Sequence, residues 1–188
     1  MKKCFLITLT GPSGIGKGYL KKYLKAHFKL EEPPVYTTRR KRKEDEKGER
    51  VFLTKEEFSR KLADEELIFV NEFYGNLYGF DRNAFRNIGN RGVITEIHID
   101  NVEKFRKKYP EAVMMALLTD DRSFLEYRFK KRAESGKELG KRLEAAKDEL
   151  KRSNALKYKF DFIYNVNYKN EDEIVNTVIK YIEKKLKC

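Results

Sequence analysis

An α/β domain built on a parallel sheet is the fold class this sequence predicts, and three observations carry the prediction. Short apolar, β-branched runs alternate with long amphipathic helical stretches, as strands covered on both faces require. A glycine loop ending in lysine joins the first apolar run to the first helical stretch. Between that helix and residue 93 the pattern shifts to short strands with turn residues, which marks a small mixed-β insertion beside the parallel sheet.

In chain order, residues 4–10 (Cys4-Phe5-Leu6-Ile7-Thr8-Leu9-Thr10) read as the first core strand. Met1-Lys2-Lys3 before it resembles the start of a signal peptide, but the apolar stretch is short and runs straight into the glycine loop. A helix follows over 17–28. Pro33 and Pro34 open the insertion, which continues through a charged stretch, Val51-Phe52-Leu53, a helix over 55–63 and an aromatic segment over 69–80. Strands are expected at 93–99, 112–119 and 161–166, and helices at 102–109, 122–134, 138–156 and 171–186. Ser135-Gly136 breaks the fourth helix from the fifth, giving a helical hairpin able to close over a substrate. The 188 residues fit one domain: a core of 1–32, 93–125 and 156–188, an insertion of 33–92 and a lid of 126–155.

Gly11-Pro12-Ser13-Gly14-Ile15-Gly16-Lys17 between a strand and a helix is the order that a phosphate-binding loop needs. Its glycines let backbone N–H groups converge on a phosphate, the helix start adds partial positive charge, and Lys17 reaches the outer phosphates. The fold class is therefore that of a P-loop NTPase with a parallel sheet core. Gly18 stands where the general motif has Ser or Thr, with Tyr19 next, so the usual Mg²⁺-ligating hydroxyl is missing there. A metal must then be held by the triphosphate, water and a carboxylate elsewhere, for which Glu96 is the candidate.

The formal charge of +12 favours anionic partners. Much of the excess is lysine on helix faces, such as Lys21, Lys22 and Lys25, and reads as solvated surface; no nucleic-acid module is evident. Cys4 and Cys188 sit at opposite ends and build neither a disulfide framework nor a zinc site, which suits a reducing, cytoplasmic setting. No segment approaches the ~20 apolar residues of a membrane span. A monomer or homodimer is expected.

The chain resembles the guanylate kinase family of P-loop nucleoside-monophosphate kinases over nearly its whole length. The residues that carry the likeness are Gly11 to Gly18; Thr37-Thr38-Arg39 with Arg42; Val51-Phe52-Leu53-Thr54-Lys55-Glu56-Glu57-Phe58; and Gly75-Asn76-Leu77-Tyr78-Gly79. Arg128 with Arg132, Arg142-Leu143-Glu144-Ala145-Ala146 and residues 161–165 complete the set. The resemblance implies transfer of the γ-phosphoryl of ATP, with Mg²⁺, to an acceptor phosphate, normally that of GMP. It places Arg39, Arg42 and Tyr78 on the acceptor phosphate, and Arg128, Arg132 and Arg142 on the donor phosphates or the transferring group. Forked arginines suit both tasks, since they bind phosphate oxygens bidentately and stabilise developing charge.

Departures from the family pattern fall where it reads guanine. Val35 stands for a serine, Arg50 for a tyrosine, Phe69 for the guanine-binding glutamate and Phe80 for a small hydroxyl residue, while Glu96 and His98 replace two spaced aspartates. Phe69 and Phe80 would stack on or enclose a base, with Glu72, Arg50 or His98 as candidates to read its edge. GMP is the default acceptor. A ribose 1,5-bisphosphate phosphokinase, suggested by Tyr36-Thr37-Thr38-Arg39, and a non-catalytic phosphopeptide-binding module of guanylate kinase type remain the alternatives.

Overall fold

The computed structural model describes residues 5–41, 48–85, 92–131, 136–170 and 173–187. Strands β1 (Leu6–Thr10), β6 (Val93–Glu96), β7 (Val113–Leu118) and β8 (Phe162–Asn165) form one sheet in the order β6-β1-β7-β8. Every neighbouring pair in it is parallel. The second sheet, β3-β2-β5-β4, is mixed. It consists of β2 (Val35–Thr37), β3 (Arg50–Phe52), β4 (Leu67–Phe73) and β5 (Asn76–Asp81), with only β2 and β3 parallel. This is the parallel core and mixed insertion that the residue pattern predicts.

Alternation along β1 divides the core in two. Ile7 and Leu9, with Met115 and Leu117 of β7, pack against α1 (Lys17–Phe28), α4 (Arg122–Lys130) and α6 (Ile174–Lys187) through Leu20, Leu24, Phe124, Phe129, Val178 and Ile182. Leu6 and Met114 turn to the other face and meet Val102 and Phe105 of α3 (Val102–Lys108) together with Phe69, Phe80 and Phe85 of the insertion. The second cluster therefore ties the insertion to the sheet. Helix α5 (Gly136–Ala155) is seated on the first cluster by Leu139, Leu143, Ala146 and Leu150, which recur at helical spacing. The segment expected to act as a lid is thus packed on the core from Leu139 onward.

Local signals place several ends. Thr54 and Glu57 form a reciprocal capping box at the start of α2 (Lys55–Ala63), and Asp121 accepts from the Ser123 and Phe124 N–H groups to start α4. Such a cap contributes about 1 kcal/mol. One strand ends earlier than its apolar pattern predicts. β6 stops at Glu96, and His98 caps a 3₁₀ turn over Ile99–Asn101, so Glu96 and His98 do not share a strand face. No helix of the described residues is long and apolar enough to cross a membrane.

Candidate functional site

The loop after β1 depends on its glycines at two points. A Cβ on Gly11 (φ 142°) would lie 2.1 Å from the Leu117 carbonyl oxygen, and one on Gly14 (φ 85°) would lie 2.8 Å from the Phe129 ring. The loop is therefore pressed onto β7 and α4, which fixes the direction of its amides. Gly16 caps α1 with no side-chain hydrogen bond, so the first helical N–H groups stay directed at the loop's concave side. Lys17 Nζ donates to Gly11 O at 2.5 Å and Pro12 O at 3.1 Å, and lies 3.9 Å from Glu96.

A cleft of about 1110 Å³ opens from this loop. Gly11, Ser13 and Lys17 line one end; Arg39, Arg50, Tyr78, Phe69 and Phe80 of the insertion line the other; Glu96, His98, Arg142 and Glu149 lie along it. That volume exceeds the range of ordinary single-ligand pockets, about 300–1000 Å³, and suits two ligands meeting end to end. At the insertion end, Thr38 binds β5 twice: its N–H donates to Leu77 O (3.1 Å) and its hydroxyl accepts from Leu77 N (2.9 Å). The adjoining pair Thr37 and Tyr78 sit opposite in the ladder, so Arg39 and Tyr78 share one rim.

Two ion networks set the charge between the ends. Lys21, expected on a solvated face, has a side chain only 12% exposed and pairs with Glu32 and with Glu96 at 3.3 Å. Burial alone would lower the Lys21 pKa, but facing Glu96 and Glu32 raise it. Burial likewise opposes ionisation of Glu96, and Lys21 and Lys17 overcome it and hold its pKa below the ordinary value. His98 is pushed down to about 4 by burial, with Arg152 and Lys17 adding to the effect. Its ring is neutral at physiological pH and caps the 3₁₀ turn beside the Asp100 carboxylate (3.0 Å).

Phe69 and Phe80 serve two surfaces. Phe69 and Phe80 reach the cleft wall, but they are only 9% and 5% exposed and are shared with the core. The Phe69 ring lies 4.9 Å from that of Phe105, and Phe80 lies 5.3 Å from Phe85. Phe69 adopts φ 52° at a bulge in β4, where the register against β5 slips between Ile68 and Asn71. Asn101 Nδ2 holds that bulge by donating to Phe69 O at 2.8 Å. Glu72 is exposed and not among the cleft-lining residues; its strand neighbours Asn71 and Phe73 line the cleft instead, by strand alternation.

Tyr19 is exposed, and Arg128 stacks over Phe124 at 5.9 Å; neither is among the cleft-lining residues. Arg142 lies over Tyr74 at 5.4 Å within the lining. Arg42 and Arg132 fall outside the described residues. The sequence reading missed Lys21, Asn71, Asn101 and Glu149. Lys21 and Glu149 sit on amphipathic helices among many charges, and nothing local marks them as inward-facing.

A P-loop whose cleft continues into a cationic insertion defines a P-loop NTPase-class protein with room for two ligands. Comparison narrows this. A family model described as guanylate kinase matches residues 3–185, and the chain belongs to that family. It is 32% identical to a guanylate kinase of Prochlorococcus marinus over 183 residues, covering 95% of this chain and 96% of that one. A Synechococcus guanylate kinase is 38% identical over 151 residues, covering 77% and 82% of the two chains. The crystal structure of guanylate kinase from Anaplasma phagocytophilum superposes with a TM-score of 0.72 at 20% identity, covering 99% of this chain and 88% of that one.

Proposed function

We propose that this protein transfers the γ-phosphoryl group of ATP to the phosphate of a nucleoside monophosphate, with GMP the default acceptor. The observation that carries the reading is the single cleft lined by both the phosphate loop and the Arg39–Arg50–Tyr78 rim. Family membership supports it over the sugar-phosphate kinase and the non-catalytic module.

In this reading the loop amides and Lys17 hold the donor phosphates. Lys17 leaves the carbonyls of Gly11 and Pro12 for the incoming anion. Arg39, Arg50 and Tyr78 hold the acceptor phosphate, and Arg142 approaches the transferring group from α5. Catalysis then rests on alignment and fixed positive charge, because the phosphoryl group passes between oxygens without a protein-bound intermediate. Arg42 and Arg132 keep the acceptor and donor roles that the resemblance implies, and Arg128 would take up its donor role only by leaving its place over Phe124.

Mg²⁺ arriving on ATP would offset charge on the β- and γ-phosphates. Among the described residues no cluster of three or more His, Cys, Asp or Glu forms a metal cage. Glu96 is the acid facing Lys17 across the cleft, and it fits as a partner to the ion's water shell.

The base end is Phe69 and Phe80 with the amides of Asn71 and Asn101 and the neutral ring of His98. These supply donors and acceptors without the carboxylate that guanine's N1–H and amino group would meet. Turnover with MgATP over GMP, dGMP, AMP, CMP, UMP, dTMP and ribose 1,5-bisphosphate tests the reading. We expect GMP to be phosphorylated. Activity confined to the sugar bisphosphate, or none with any acceptor, would sink it.

A further inference from the structure

One acid in the cleft has no part in the proposed transfer. Glu149 lies on α5, is 6% exposed, and lines the donor end with Gly11, Ser13 and Lys17. The backbone N–H of Ser13, one of the loop amides, acts on its carboxylate and favours the charged form. A carboxylate and a phosphate are both anions that attract N–H groups, so Glu149 competes for a donor of the kind that a phosphate-binding loop presents to its ligand. Its helix cannot easily withdraw it. Ala146 and Leu150, adjacent to it on the helix, are packed into the core, and Ser153 one turn on is fully buried.

We propose that Glu149 is a built-in stand-in for the donor phosphate, so that donor binding is coupled to uptake of a proton by this carboxyl group. The proposal rests on the donor-site reading above. Two anions in one poorly hydrated place repel strongly, and a carboxylate fixed there relieves the conflict by protonating rather than by moving. As the acid it keeps its place in the packing without opposing the phosphate.

The surrounding charges make that proton available near neutrality. Burial pushes the Glu149 pKa up to about 7. Lys17 of α1 and the Ser13 N–H act against this, while Glu96 of β6 and Asp148 on the same helix add to it. The free enzyme is thus about half ionised at Glu149 at pH 7, and a nearby phosphate drives it further toward the acid. The proton comes from the buffered solvent: the carboxyl group gains an O–H bond and the buffer acid loses its bond to the same proton.

Calorimetric titration of MgATP into the protein, in buffers of different ionisation enthalpy, reads the coupling directly. At pH 7 we expect wild type to take up roughly half a proton, and its Kd for MgATP to rise with pH above 7, approaching about tenfold per unit. Glu149→Gln keeps the shape and an acceptor oxygen but cannot titrate. It should bind with no buffer-dependent heat, a flat pH profile and about tenfold tighter affinity than wild type at pH 8. Glu149→Asp should restore proton uptake. A purely structural Glu149 would instead lose affinity in the Gln variant.

Wild-type binding without proton uptake, or uptake of the same size in Glu149→Gln, overturns this proposal alone. Absence of any MgATP binding by wild type overturns the donor-site reading and this proposal with it. Should Glu149→Gln fail to fold, the wild-type heats and the Glu149→Asp variant still decide the matter.

Discussion

Single residues in the cleft carry distinct loads. Lys17 is held by two loop carbonyls and faces Glu96, and in the proposed function it meets the donor phosphates. Lys17→Ala removes charge from the transferring phosphoryl, and kcat should fall by about 10²–10³-fold in a coupled ADP assay, with the fold intact by circular dichroism. Phe69 illustrates the opposite case. Its ring is shared between the cleft wall and Phe105, and its strained φ 52° is maintained by Asn101. Replacing it with the family's glutamate would bury a carboxylate among Phe85, Phe105 and Tyr109. We expect Phe69→Glu to lose about 3 kcal/mol or more in urea unfolding, without improving the KM for GMP. His98 adds a pH signature. The fold lowers its pKa from 6.5 to about 4, so its contribution is complete above pH 6.5 and is lost as pH falls toward 4. The loss is on the order of 3 kcal/mol at most. Glu149 acts in the other direction, since a carboxyl raised from 4.5 to about 7 loses stability as pH rises through that window. His98→Gln should therefore flatten the acid limb of a stability–pH curve; an unchanged limb would reassign it.

At the scale of elements, helix α4 links the core to the phosphate loop. Phe129 is fully buried and its ring presses on Gly14. Phe129→Ala should cost about 3–5 kcal/mol in chemical denaturation and raise the KM for ATP more than it lowers kcat, because the loop loses its backing. Much at this scale was legible in the sequence. The capping box of Thr54 and Glu57 marks α2, the glycine run marks the loop, and β-branched apolar runs mark the four parallel strands. The rest depends on contacts made across the chain. β6 ends at Glu96 because the following residues turn into a 3₁₀ segment capped by His98, which strand periodicity over Ile97 and Ile99 cannot reveal. The β4 bulge is held by Asn101 from 32 residues away, and it puts Asn71 rather than Glu72 toward the cleft. Lys21 reads as surface until Glu32 and Glu96, from separate elements, close around it.

For the whole molecule, the two sheets bring the phosphate loop and the Arg39–Arg50–Tyr78 rim to one cleft. The parallel sheet carries the phosphate loop at the end of β1, as open α/β sheets place ligands beyond the carboxyl ends of their strands. The mixed sheet is tied to it through the Phe69–Phe85–Phe105 cluster, so the Arg39–Tyr78 rim is positioned by hydrophobic packing rather than by the loop itself. On the proposed function, this explains why the phosphate-binding half was readable as motifs and the base-binding half was not. Phosphates need fixed residue types at fixed spacings, whereas a base pocket is assembled from residues far apart in sequence, such as Asn71, His98 and Asn101. In the proposed function, donor and acceptor react directly in this shared cleft. Phosphorus NMR of the protein incubated with MgATP and GMP tests it most directly. ADP and GDP should appear in equal amounts, about 10²–10³-fold more slowly in Lys17→Ala; ADP formed with free phosphate and no GDP would overturn direct transfer.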